Sequence, residues 1–596
     1  MLLSLSAMAM SESGKKRGNF FAVLLWAVAF LPALALLVAT VQWRARVPYY
    51  DSWTFVKQYQ DWCEGIYGWQ EFLAPHNAHP SAIGKALYFL ALHIGHGDVG
   101  LLPLVSWTLS LAISLGVLVL SRPLWRGCSA RGAGLMFLAN LSIFSAIQGH
   151  AWIWDFTFQN FIPGACLVIG LLLLGSPHVS WWRWALAALL SLVSAFSFGT
   201  GFATGFLLLP AVFMALEQKK TSVRVALTLL GAVWCGAAGW LALNAFGRAG
   251  GSSPAADLFA RPGACLQYVL AMLGHTLGRG TAMEPVTLCA VWGVVMLMAF
   301  SAVGWVLLRR RDAVLLRQSW PWLAFGFWAM LNAAAICIGR FHASLETGMA
   351  QRYGTFMLFM PLGTMMLVAT LGTVAATGWW KKLAPVALGV LLVAQSLSWN
   401  AGLQGMELFH QKMISRKASL DFINALPPLP SVFWRLELSP DTLRGARYLA
   451  ENGRLHDVVP FRDAAIESYP VNPEISSKWA NWRLVSSALD SQEMRGTCGL
   501  SKQLSGMADL VLITATPVGG PEKIIALVPP EPPEDFFEHA ARRREFHEHY
   551  FGWRWPVDRS LLPSGKDVTL RAYAYDESKR KVRLIPGEAV LAARQP

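Results

Sequence analysis

The chain has 596 residues, 54% hydrophobic and only 14% charged, with a formal net charge of +14. A soluble chain carries roughly 25% charged residues, so the deficit argues against a single water-soluble core and for repeated burial in lipid. The positive excess lies between apolar runs, which reads as cytoplasmic loop charge and excludes nucleic acid as the expected partner.

From the N-terminus, Lys15, Lys16 and Arg17 precede residues 18–43, a charge-free run too long for a signal-peptide core. It is expected to remain as a first span. Further charge-free runs occupy 99–121, 132–149, 158–182, 184–216, 225–247, 286–308, 318–339, 354–380 and 383–403. The run 184–216 has 33 residues with Arg183 before it and Lys219, Lys220 and Arg224 after it. Both flanks should face the cytoplasm, so it should cross twice, turning at Gly199-Thr200-Gly201. That gives about eleven transmembrane helices of about 20 residues each, with the N-terminus cytoplasmic and a bacterial inner membrane as the expected home. The outer segments are then 44–98, 149–157, 199–201, 244–285, 339–353 and everything after about 404. The apolar stretch 81–97 would invert this pattern if it crossed, so it is read as an in-plane or re-entrant helix.

Residues 404–596 differ in kind. Charges return, prolines cluster, and no long apolar run remains. The expectation is a soluble, extracytoplasmic α+β domain, helical over 404–505 (notably Ser439–Gly453) and β-rich over 506–596. Strands are predicted at Asp509–Thr516, Lys523–Val528, Phe551–Val557, Val568–Tyr575 and Lys581–Ile585, forming a small antiparallel β-sandwich. Eight cysteines lack CxxC spacing; Cys63, Cys265 and Cys498 fall on the outer side, but their spacing supports no bridge.

Polar residues gather in the outer segments. Asp51, in Tyr50-Asp51-Ser52-Trp53, could serve as a general base toward a hydroxyl or as the N-cap of the following helix. In His76-Asn77-Ala78-His79, two histidines three apart can share a helical face and hold a metal or a phosphate; ordinary interfacial polar residues are the alternative. Lys85 could meet a phosphate. Asp155, Gln159 and Asn160 stand at the mouth of a span among aromatics suited to a membrane interface. Arg340 and Arg352, followed by Tyr353, are cations on the side where the charge bias disfavours them. They suit a phosphate anion or an ion pair with Glu346, and Arg279 with Glu284 repeats that pattern.

In order and common side, four of these elements resemble the GT-C class of bacterial integral membrane glycosyltransferases. They are the acid after the first span (Asp51), His76-Asn77-Ala78-His79, Trp154-Asp155 with Phe158-Gln159, and Gly339-Arg340 with Arg352-Tyr353. The chain departs from that pattern at Ala78, Pro80 and Phe156. The resemblance covers about 18–400 and implies a GT-C-like transmembrane domain over 1–403, with the tail binding acceptor or covering the site. It further implies an inverting transferase that takes sugar from a polyprenyl-phosphate donor to a glycan acceptor. Asp51 would be the catalytic base. His76, Asn77, His79, Lys85, Asp155, Gln159, Arg340, Glu346, Arg352 and Tyr353 would bind substrate. No cofactor is required by this reading, though the histidines would admit a divalent metal. A flippase of lipid-linked sugars, a glycan polymerase or ligase, and an assembly subunit are the competing readings. The near-absence of charge within the spans weighs against a crossing path.

Overall fold

A computed structural model describes residues 21–593, except for the stretches 176–179, 245–260, 280–284, 341–345, 375–377, 473–479, 487–491, 499–507 and 531–551 and the positions 77–78, 127, 218, 428, 430–431, 434–435, 437–439, 456–457, 459 and 462. The chain divides into two compact units. The first comprises Met1–Arg44, Gly68–Leu87 and Leu102–Met406; the second comprises Ala45–Tyr67, Tyr88–Leu101 and Glu407–Pro596.

The first unit is helical. Among the described residues of the chain, eight helices are long and apolar enough to cross a membrane, or nine if Phe21–Ala29 and Leu31–Trp43, bent by 42°, form one span. Pro32 sits in the first turn of the second piece, where a proline is tolerated but lacks the N–H needed to continue the preceding ladder. Asn140 closes the break: its Nδ2 donates to Ala29 O at 2.7 Å, and its Oδ1 accepts from Ser114 Oγ at 2.6 Å. One amide thereby ties three helices, as polar side chains do where there is no water to compete. The run 184–216 is broken as its length demands, into Trp181–Ala195 and Ala203–Ala215. Each is shorter than the roughly 20 residues a span needs. The turn between them is held by Ser194 Oγ, 2.8 Å from both Gly201 O and Thr204 Oγ1.

One helix was not expected. Pro262–Gly278 lies inside the segment read as the outer loop 244–285. Its Gly274 and Gly278 face Cys289 and Gly293 of Pro285–Arg309, and a Cβ at Gly274 would fall 1.9 Å from Cys289 O. Small residues four apart on both helices let the two backbones touch.

The second unit carries the β-sheet domain. Eight strands are β1 Val471–Asn472, β2 Ala480–Ser486, β3 Gln492–Cys498, β4 Leu510–Pro517, β5 Lys523–Val528, β6 Gly552–Pro556, β7 Val568–Asp576 and β8 Lys581–Leu591. They form a five-stranded sheet in the order β1-β8-β7-β4-β5 and a three-stranded sheet in the order β2-β3-β6. Pairing is antiparallel except for β1 with β8. Trp482, Met494, Trp553 and Trp555 of the small sheet meet Val511, Ile513, Leu570 and Ile585 of the large one in a common core. The other face of the large sheet is also buried, with Leu510, Leu512 and Tyr575 packing against Phe422, Phe433 and Tyr469. Burial on both faces explains why β4 reads as an unbroken apolar run instead of alternating.

Two differences from the sequence reading follow. Residues 404–505 are not simply helical: the helix Pro440–Glu451 is present, but β2 and β3 form a hairpin in that stretch. Residues 45–67 and 88–101 group with the tail. There Ser52–Cys63 packs on Pro440–Glu451, where a Cβ at Gly445 would stand 3.1 Å from Val56 Cγ1. Arg454 Nη1 donates to the Tyr59 hydroxyl at 2.9 Å, which also lies 3.3 Å from His93 Nδ1. All eight cysteines are free thiols.

Candidate functional site

His76 and His79 pair through their backbones, each histidine's N–H donating to the other's carbonyl at 2.9 and 2.8 Å. The two rings therefore project from an antiparallel bridge and do not share a helical face. His76 packs on Phe156 (ring centroids 5.3 Å apart), and His79 stacks on Phe198 at 4.7 Å with an interplanar angle of 17°. Phe198 in turn meets Phe356 at 5.1 Å. Gly199 permits this arrangement, since a Cβ there would come within 2.6 Å of His79 Nδ1. The next residue anchors the turn: Thr200 Oγ1 donates to Asn332 Oδ1 at 2.5 Å, on the same helix (Ala313–Arg340) that ends at Arg340.

The Arg352 side is tied to the second predicted outer loop. Gln351 Oε1 accepts from His150 N at 3.2 Å, and Asn160 Nδ2 lies 3.5 Å from Arg352 O. The helix Pro262–Gly278 supplies a further brace, with Arg279 Nη1 donating to Met349 O at 2.9 Å. Arg352 lies over the Tyr353 ring, its Cζ 5.0 Å from the centroid.

These supports bring Arg340 and Arg352 into electrostatic reach of His79. Burial is the main cause that pushes the His79 pKa down to about 4, with Arg340, His76 and Arg352 adding to it in that order. His76 falls to about 4 as well, first through burial and then through Lys85. Both imidazoles are thus neutral near pH 7 and able to donate one hydrogen bond and accept another. The Tyr268 hydroxyl is within reach of Tyr353, Arg340 and Arg352, and its ring covers Gly348, where a Cβ would sit 2.6 Å from Cζ. Sequence reading missed Tyr268, because it lies in a helix that no charge or motif pointed to.

The remaining expected residues fare differently. Lys85 is 1% exposed. Its Nζ donates to the carbonyls of Glu71, Phe72 and Ala74 at 2.8, 3.2 and 2.8 Å, closing the C-terminal end of Trp69–Leu73. A cation suits that end of a helix, so Lys85 shapes the loop and is not presented to a phosphate. Burial lowers its pKa to about 8. Gln159 is buried against the backbone of Gly84, where a Cβ would come 2.5 Å from its Oε1. Asp155 is completely buried and Tyr353 nearly so. Asp51 belongs to the second unit, at the N-cap position of Ser52–Cys63, yet its side chain makes no capping hydrogen bond. Asn77, the Glu346 side chain and Glu284 lie outside the described residues, and with them the ion pairs expected of the last two. Among the described residues no group of three or more His, Cys, Asp or Glu side chains is disposed to hold a metal ion.

The chain's first unit thus gathers two neutral imidazoles, two guanidiniums and two phenols from loops and helices far apart in sequence. Such a set can recognise an oxyanion. Comparison with protein-family models, curated proteins and solved structures gave no match.

Proposed function

We propose that this protein is a polytopic membrane glycosyltransferase of GT-C-like design. It moves a sugar from a polyprenyl-phosphate donor to a glycan or lipid-linked acceptor on the outer face of the bacterial inner membrane. The observation that carries the reading is His79, stacked on Phe198 with Arg340 and Arg352 acting on it. A leaving lipid phosphate needs stabilisation of growing negative charge, and preorganised guanidiniums supply it without reorganisation. The neutral imidazoles of His76 and His79 hydrogen-bond phosphate or sugar oxygens, and the Tyr268 and Tyr353 hydroxyls add two further hydrogen-bonding groups. In the reaction the acceptor oxygen attacks the anomeric carbon and gives its proton to a carboxylate, for which Asp51 is the candidate; the bond to the phosphate oxygen breaks, and the configuration inverts. The orientation follows the positive-inside bias, with Arg122, Arg126, Arg309–Arg311 and Lys382 at or beyond the cytoplasmic ends of helices.

The test is transfer from a polyprenyl-phosphate sugar by purified protein in nanodiscs, with Asp51→Asn and Arg340→Gln/Arg352→Gln. Loss of a general base costs about 10²–10⁴-fold in rate, and the arginine variant should lose about 10² or more. An Asp51→Asn protein that folds and transfers sugar at the wild-type rate removes Asp51 as the base. Lipid-linked sugar trapped in the inner leaflet of cells lacking the protein would favour a flippase instead.

A further inference from the structure

The small sheet β2-β3-β6 buries one face in the sandwich core and leaves the other in water. Its pairing sets Arg483 opposite Arg495, and Arg495 opposite Arg554. Side chains directly opposite point to the same side of a sheet. Their chain neighbours Trp482, Met494, Trp553 and Trp555 are the buried ones, so the three arginines form a row across the outward face. Arg483 and Arg495 are exposed and Arg554 partly so. With strands about 4.8 Å apart, the row spans about 10 Å. Among the described residues of these three strands, Glu493 is the acid that shares the face: its Oε2 binds Arg495 at 2.5 Å from Nη2 and 2.6 Å from Nε. The flanking row is polar, with Asn481 opposite Thr497 and Thr497 opposite Gly552.

We propose that this face binds an extended anionic glycan, whose carboxylates or phosphates lie along the arginine row while its hydroxyls meet Asn481 and Thr497. Planar guanidinium forks suit such oxyanions. A lipid surface fits less well, because membrane-binding faces add large apolar side chains that enter the bilayer, and no residue of these strands is an exposed large hydrophobic. Nucleic acid fits less well too, since single strands need exposed aromatic platforms and Trp482, Trp553 and Trp555 face the core. As a binding face the proposal stands on strand register alone; as the acceptor site of the transferase it rests on the reading above.

The test uses the full chain in zwitterionic nanodiscs, with oligogalacturonate as the anionic probe and dextran as the neutral one. Wild type should bind oligogalacturonate with an affinity that falls as salt rises, and should not bind dextran. Arg483→Gln/Arg495→Gln/Arg554→Gln should weaken binding at least roughly tenfold, whereas the triple Arg→Lys variant, which keeps the charge and loses the planar forks, should bind more weakly than wild type and more tightly than the Gln variant. Circular dichroism of both variants controls for folding. Oligogalacturonate binding that is undetectable in wild type, or equal in wild type and a folded Gln variant, overturns the proposal. So does loss of binding to phosphatidylglycerol vesicles alone. Because binding is read without sugar transfer, failure here is distinguishable from failure of the transferase reading.

Discussion

His79 is the residue on which the proposed site turns. A half-buried imidazole within electrostatic reach of two guanidiniums resists protonation, so its pKa lies near 4 where an exposed histidine titrates near 6.5. His76 behaves alike. Between those values the unfolded chain takes up protons that the folded protein refuses, so stability is complete above about pH 6.5 and falls as pH drops through about 4. Each histidine contributes on the order of 3 kcal/mol to that fall. Thermal unfolding in detergent should therefore show a marked loss from pH 7 to 4.5. A His79→Gln variant should show a shallower slope; an unchanged slope would mean that His79 is not the buried neutral group described. The pair His76 and His79 was legible in the sequence as a polar cluster beside apolar runs, but the backbone bridge between them was not. Lys85 shows the same limit: a cation near a site looks like a ligand until three carbonyls claim its ammonium.

At the scale of elements, the helix pair Pro262–Gly278 and Pro285–Arg309 is the joint most sensitive to a single methyl group. A Cβ at Gly293 would fall 1.9 Å from Leu270 O, and backbone cannot rotate aside as a side chain can. Gly293→Leu should cost about 1–3 kcal/mol or more, read as a lowered Tm. It should also reduce transfer, because the partner helix Pro262–Gly278 leads into Arg279, which holds Met349 O near Arg352. A variant with wild-type Tm would contradict the close approach. Elements differ in how plainly the sequence announces them. Lys523–Val528 is predicted at the bounds observed for β5, since a short β-branched run between turn residues has few alternatives. The hairpin Ala480–Cys498 carries a signal that a helical reading of 404–505 passes over. Ala480, Trp482 and Leu484 alternate with Asn481 and Arg483, the period of a half-buried strand.

At the scale of the molecule, the two units are not two consecutive halves of the chain. Residues 45–67 and 88–101 join Glu407–Pro596, and Trp53 and Val56 lie against Gly445. A truncation after Met406 therefore removes packing partners from Trp53, Val56 and Tyr59. The shortened protein should be cleaved within 45–67 by limited proteolysis under conditions where the full chain is resistant there. Equal resistance would show that these residues hold their structure without the tail.

The amino-acid sequence by itself determined the helical runs and most of the tail's strands. Long charge-free stretches must satisfy their own backbone hydrogen bonds, and strand periodicity is local. Only the tertiary structure decided that His79 lies within reach of Arg340 and Arg352, that Lys85 closes a helix, and that Arg483, Arg495 and Arg554 stand in one row. Those relations join residues tens to hundreds of positions apart. They are fixed by packing and strand register, which no local pattern records.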